Sequence, residues 1–263
     1  MTQWIAVGTW FGVGLCFGSL ANVVIYRLPR DISIVSPPSG CPACKTRLVF
    51  YDLIPIISWA LLLGRCRNCK SKISIRYPLV EFTCALLFAC MVLFTHSLSA
   101  IFLSLLAFVL LAVFVIDYDT QQIPDSLLVF AAIVGVGWVI LGQFSPLFSL
   151  SFPNAPGFIS AFLGILAGGL PLLVIDRLVL LLYKKDGFGY GDVKLMAVSG
   201  LFLGWQLIIV AFFIAFISGG AFAVYLLVTG RARRGEYIAF GPFLCGGVIV
   251  AIWFGQGIIS FMT

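Results

Sequence analysis

The sequence predicts an all-α, polytopic membrane protein with about eight transmembrane helices and a small cytosolic zinc-binding loop, on three observations. Of the 263 residues, 62% are hydrophobic and only 10% are charged, where a soluble domain carries roughly a quarter. The ten acids and sixteen bases gather into short stretches separated by charge-free runs, each long enough to cross a bilayer. Four of the eight cysteines stand as two Cys-x-x-Cys pairs inside one charged stretch. An ordinary soluble domain and a disordered chain are excluded by the first two features. A folded nucleic-acid-binding domain is excluded because the net charge of +6 is spread over membrane-flanking loops.

A spanning helix needs about 20 mostly apolar residues, which sets the count of crossings. Residues 1–26 give one; no basic region precedes the apolar stretch and no small-residue cleavage site of the signal-peptide form follows. Residues 77–116 give two, interrupted by Thr95-His96-Ser97. Residues 126–175 hold no charge but are broken by Pro146, Pro153, Asn154, Pro156 and Gly157, so two more follow, the second reaching residue 183. A single helix over 195–230 would rise roughly 54 Å against a hydrocarbon core of ~30 Å. Its best break is Gly204-Trp205-Gln206, which makes two crossings with a short first half. Residues 237–261 complete the eight. The expected divisions are a first helix (1–26), a cytosolic cysteine loop (27–76) and a seven-helix membrane domain (77–263).

Orientation follows from the bases, which accumulate in short cytoplasmic loops. Nine of the sixteen lie between Arg27 and Arg76. The others are Arg177, Lys184, Lys185 and Lys194, then Arg231, Arg233 and Arg234. Eight crossings put every group on one face, and the opposite loops carry no charge; seven would put the Arg231 cluster on the wrong face.

Cys41-Pro-Ala-Cys44 and Cys66-Arg-Asn-Cys69 fall in that first cytosolic loop. In a reducing compartment such pairs point to metal rather than disulfides. Each places two thiolates on one tight turn, and two turns supply the four sulfurs of a tetrahedral zinc. A redox pair is the other reading of the same spacing. Cys16, Cys84, Cys90 and Cys245 lie in apolar runs and read as small buried hydrophobes. Between the pairs, residues 48–63 are apolar but broken by Asp52, Pro55 and Ser58. This stretch is too short to span and is expected on the membrane surface or packed against the helices.

Ionisable residues at the ends of spans are costly and therefore functional candidates. Asp117 ends the third span and Asp192 opens the sixth, in Gly189-Tyr-Gly-Asp192-Val-Lys194. Two crossings separate them, so both belong to the cytosolic edge. Two carboxylates brought close cannot both ionise easily and share a proton. One then activates a water as general base while the other hydrogen-bonds a peptide carbonyl. Gly189 and Gly191 would let the backbone turn sharply and approach a substrate strand. A plain aspartate at a helix N-terminus explains Asp192 almost as well.

Taken in order, these segments resemble the bacterial type IV prepilin peptidases, which are leader peptidases and N-methyltransferases. The resemblance is carried by Gly18-Ser19 with Asn22 to Pro29, the two cysteine pairs, Ile54-Pro55 to Trp59, and Arg76-Tyr77-Pro78 to Glu81. It continues through Ile116-Asp117 with Ile123-Pro124-Asp125, then Gly187 to Leu195, then Ala239-Phe240-Gly241-Pro242-Phe243-Leu244. It implies an eight-span aspartic peptidase of the bacterial inner membrane with its active site facing the cytosol. Prepilins and pseudopilins are the implied substrates, and S-adenosylmethionine is the implied methyl donor to the new N-terminus. The implied catalytic pair is Asp117 and Asp192; the implied metal ligands are Cys41, Cys44, Cys66 and Cys69.

Asp119 and Asp125 are the neighbouring acids, and the resemblance selects Asp117 as the one six residues before the Ile-Pro pair. No Gly-rich cofactor loop follows a strand. Arg76 and Glu81 are therefore the candidates for the methyl donor, with a membrane-edge ion pair as the alternative. His96 is the only histidine and falls on the face opposite the aspartates. Rival readings are a transporter with proton-relaying aspartates, which would predict acids midway through spans and internal repeats, and an inert secretion scaffold. Membrane lipid is an expected partner; nucleic acid is not.

Overall fold

A computed structural model describes residues 2–95, 97–144, 155–184, 189–231 and 239–262. His96, the loop of 145–154, the Gly187-Phe188 start of the sixth-span motif and Arg233-Arg234 lie outside the described residues. The order is α1 (Thr2–Arg27), two short 3-10 turns (Leu28–Arg30 and Phe50–Leu53), α2 (Ile57–Leu61), α3 (Arg76–Phe94) and α4 (Ser97–Thr120). Then follow α5 (Asp125–Phe144), α6 (Phe158–Tyr183), α7 (Tyr190–Val228) and α8 (Gly241–Met262). No strand occurs among the described residues, and the two isolated β-bridges both lie in the cysteine loop.

Seven described helices are long and apolar enough to cross a membrane. One of them, α7, has 39 residues and would rise about 58 Å unbroken. It is broken at Gly204, whose φ of 74° and ψ of 176° leave the helical region. That is the first residue of the predicted Gly204-Trp205-Gln206 break, and only glycine adopts such backbone readily. Among the described residues the chain is thus a multi-pass, all-helical membrane protein. Its exposed surface is apolar: Phe213, Ile217, Val224 and Val228 make one such row along the second half of α7, as lipid contact requires.

The chain forms two compact units, Met1–Ala100 and Ile101–Thr263. In the first, α1 and α3 run antiparallel. A side chain at Gly14 would strike Ala85 and Phe88, and one at Gly18 would strike Glu81. Asn22 Nδ2 donates to the Tyr77 carbonyl at 3.1 Å, and Phe11 and Phe17 meet Phe82 and Phe88 ring to ring. In the second unit, α6 packs antiparallel to the first half of α7, Gly164 against Gly200 and Gly168 against Met196. Helix α8 packs antiparallel to the second half, Gly255 against Leu207 and Gly247 against Ala211 and Ala215. Small residues let helix backbones meet where no hydrophobic force separates protein from lipid. Helix α5 is fixed to α7 by Trp138, fully buried, whose Nε1 donates to the Phe202 carbonyl at 3.2 Å.

Candidate active site and metal centre

In the second unit, Asp117 lies in the last turn of α4 and is buried, while Tyr118 and Asp119 beside it are exposed. Its Oδ2 accepts the backbone N–H of Gly241 at 3.0 Å, the first residue of α8. A Cβ on Gly241 would stand 2.6 Å from that oxygen. Glycine therefore admits the carboxylate, and the free N–H of a helix start satisfies it.

Asp192 lies in the first turn of α7, and its carboxylate and that of Asp117 are close enough to interact electrostatically. Gly189 is the N-cap, with an ordinary extended backbone (φ −72°, ψ 143°) and no side chain to cap with. Gly191 is not held open for a substrate strand. A Cβ there would stand 2.8 Å from the Cβ of Ile123, so the glycine is filled by the turn that follows Asp117. Two residues further, Asp125 opens α5 and accepts two hydrogen bonds from Lys194 Nζ, at 2.7 and 2.9 Å. The starts of α5 and α7 are thereby tied, and with them the approach of Asp192 to the end of α4. Tyr190 takes a hydrogen bond from Arg177, whose guanidinium also lies 5.7 Å from its ring centre.

Sequence reasoning did not find the Gly241 donor, the Asp125–Lys194 pair or the setting of Cys245. Cys245 follows one turn after Gly241, is buried, and interacts electrostatically with both carboxylates. The Phe240-Gly241-Pro242 segment was the available signal: a Gly-Pro pair after a basic stretch marks a helix start that must meet something closely.

In the first unit, the four sulfurs of Cys41, Cys44, Cys66 and Cys69 lie within 4.8 Å of one another. Two near-identical turns present them. Cys41 N–H donates to the Thr46 carbonyl and Lys45 N–H to the Cys41 carbonyl, both at 2.9 Å. Cys66 N–H donates to Ser71 and Lys70 N–H to Cys66 in the same way, at 2.9 and 3.0 Å. Lys45 and Lys70 both adopt φ of 59°. The Cys41 and Cys69 sulfurs are 3.8 Å apart, and a tetrahedral site with Zn–S bonds of 2.3 Å has an S···S edge of about 3.8 Å. The donor set and its spacing therefore fit zinc. The Cys44 thiol is pushed down to about 6, first by the Thr46 hydroxyl and then by the Thr46 backbone, which favours the thiolate a metal needs.

Glu81, one of the two methyl-donor candidates, is buried at the start of α3, and its Oε2 accepts the N–H of Ile56 at 2.8 Å. Ile56 has φ of 59°, a strained value for a β-branched residue, so the carboxylate braces an unfavourable turn of the cysteine loop. Arg76 is exposed at the first position of the same helix.

A family model described as "Bacterial Peptidase A24 N-terminal domain" matches residues 13–95, and one described as "Type IV leader peptidase family" matches residues 104–224. A Pseudomonas putida protein named "Prepilin leader peptidase/N-methyltransferase" is 33% identical across 92% of this chain and 88% of its own length. The chain belongs to the type IV leader peptidase family. Members with the same printed name from Stutzerimonas stutzeri and Neisseria gonorrhoeae are each 34% identical, over 95% and 88% of this chain and 91% and 85% of theirs. No solved structure matches the chain significantly. For a type IV leader peptidase, each family model falls within one of the two units described above, the second stopping short of α8: the cysteine cluster lies in the first and both aspartates in the second.

Proposed function

We propose that this chain is an aspartic endopeptidase that removes the leader of prepilins and pseudopilins at the cytosolic face of the inner membrane and then methylates the exposed amine. The supporting observation is the pairing of Asp117 with Asp192 at helix ends, one carboxylate buried on the Gly241 N–H and the other within its electrostatic range. A pair of acids holding one proton between them is suited to activating water on one side and donating a hydrogen bond to a peptide carbonyl on the other. Gly241 N–H keeps one Asp117 oxygen fixed, and the other would then be the one that serves the reacting atoms. An eight-crossing topology, with α7 divided at Gly204, would put both acids at the cytosolic edge, where a polar leader meets an apolar substrate helix. Zinc would be held by Cys41, Cys44, Cys66 and Cys69 as a closed structural site with no open position for substrate.

In the second reaction S-adenosylmethionine would supply the methyl group. Arg76, exposed at the start of α3, has the charge to hold its carboxylate, and Glu81, with Oε2 already accepting the Ile56 N–H, would offer only Oε1 to its cationic end. A cleavage assay on purified, reconstituted protein tests the peptidase reading. Asp117→Asn and Asp192→Asn should each lower turnover by several orders of magnitude with insertion unchanged, while Asp119→Asn, at an exposed position, keeps most of it. Wild-type turnover by either of the first two would refute the dyad.

A further inference from the structure

The cysteine loop carries an apolar surface that its own small core cannot cover. Phe50 is 81% exposed, Leu61 79% and Leu63 84%, and Val49, Tyr51, Leu53, Ile54 and Ile57 are exposed around them. Ile57 and Leu61 are one helical turn apart and share a face of α2. Leu63 is turned outward by a left-handed backbone, φ of 51°, and Gly64 after it is held against the Trp59 ring. Trp59 itself is fixed by its Nε1 donating to the Ile73 carbonyl at 3.2 Å. The outward apolar set is therefore built by the fold and is not a frayed end.

The charge around it is of one sign. Arg47 immediately precedes this apolar stretch of residues 48–63, and Arg65 follows it after Gly64. Both sit in the β-bridges that close the two cysteine turns, Gly40 with Arg47 and Arg65 with Lys72. Lys45, Lys70 and Lys72 are exposed beside them. The one acid of the stretch, Asp52, is taken by Arg67 at 2.8 Å. Five exposed cations remain, more than the double negative charge of a zinc tetrathiolate. Both ends of the loop are tethered to membrane spans, since α1 ends at Arg27 and α3 begins at Arg76. Arg27 draws the loop back toward that helix end, its guanidinium donating to the carbonyls of Ser33 at 2.8 Å and Pro37 at 2.7 Å.

We propose that this face of the cysteine loop is a lipid-binding foot that sets Phe50, Leu61 and Leu63 into the bilayer interface and takes acidic phospholipid headgroups on Arg47 and Arg65. Apolar side chains flanked by cations suit the boundary between acyl chains and anionic headgroups. Each juxtamembrane cation is worth about 1 kcal/mol toward an acidic surface, a factor of about five. The inference rests on the chain being a multi-pass membrane protein and is independent of its chemistry on substrate.

Leu61→p-benzoylphenylalanine and Leu63→p-benzoylphenylalanine proteins, in nanodiscs of phosphatidylcholine with a minority of phosphatidylglycerol, test it by photocrosslinking and mass spectrometry. Ile217→p-benzoylphenylalanine, on the exposed row of α7, is the control. The expected result is lipid adducts at 61 and 63 enriched in phosphatidylglycerol several-fold over its mole fraction, and lipid adducts without that enrichment at 217. Arg47→Gln with Arg65→Gln should return the ratio at 61 and 63 to the mole fraction. Adducts to the protein's own chain, to a second copy or to an added pilin helix would overturn the proposal. So would water-quenched label with no lipid adduct, or lipid adducts with no headgroup preference. Leader cleavage measured on the same samples reports the peptidase separately.

Discussion

At Gly241 a missing side chain does as much as a present one. The Asp117 carboxylate occupies the space a Cβ would need, 2.6 Å from where it would stand. Gly241→Ala should move the carboxylate while leaving both acids in the sequence. We expect leader cleavage to fall about 100-fold, the cost of displacing a reacting group by around 1 Å, with expression and zinc content unchanged; activity within twofold of wild type would show that the contact is incidental. Cys44 gives a prediction of another kind. Its thiol is depressed to about 6 from an unfolded value of 9.0, chiefly by the Thr46 hydroxyl. A depressed acid stabilises the folded loop fully above the unfolded value and loses that contribution as pH falls through the folded one. Zinc takes the thiolate, so it should be retained at neutral pH and released with proton uptake only on acidification below the metal-free value of about 6. Thr46→Val should move that release to higher pH in a chelator-competition titration; an unchanged midpoint would remove the hydroxyl from the account. Neither contact could be read from the sequence. The Asp117–Gly241 bond joins residues 124 apart and the Asp125–Lys194 pair residues 69 apart, whereas spacing reports only what lies within a turn or two. The preference for Asp117 over Asp119 came from the family resemblance and not from spacing; in the structure the first is buried and the second exposed.

Helix pairs in this chain meet through glycine. Gly164 and Gly168 on α6 face Gly200 and Met196 on α7 with no room for a side chain, whereas Gly246 on α8 has nothing within 4 Å of its Cβ position. Gly168→Leu should therefore destabilise the second unit, with overpacking costing roughly 1–3 kcal/mol, and Gly246→Ala should leave it unchanged. Thermal melts in detergent separate the two, and equal melting temperatures would show that α6 and α7 are not in the described contact. The helices themselves were legible because charge-free length and proline or glycine breaks are local properties. Length demands a break in the 39-residue α7, the Gly204-Trp205-Gln206 triplet marks where it falls, and φ of 74° at Gly204 is its physical counterpart. The partners of each helix were not legible. Most spans are apolar on every side, so the pattern that marks a buried stripe on a soluble helix is missing, and only small residues distinguish protein contact from lipid contact.

For the whole molecule, the candidate metal ligands and the proposed catalytic acids fall in different stretches of the chain, and they should respond to different insults. Purified protein should hold about one zinc per chain, and Cys41→Ser with Cys44→Ser should abolish it. Elemental analysis showing no zinc in active wild-type protein would refute the ligand set. The cysteine loop was the most legible feature because two Cys-x-x-Cys turns carry their own geometry, down to the matching left-handed Lys45 and Lys70. The two compact units are also consecutive, Met1–Ala100 and then Ile101–Thr263. On a ribosome, all four thiols are therefore synthesised before Asp117. A chain stalled once Phe144 has been added has every zinc ligand and only one of the two acids. Metal supply is then a question of timing. Zinc withheld during translation meets a nascent loop with nothing else to hold it, while zinc withdrawn afterwards meets a finished protein.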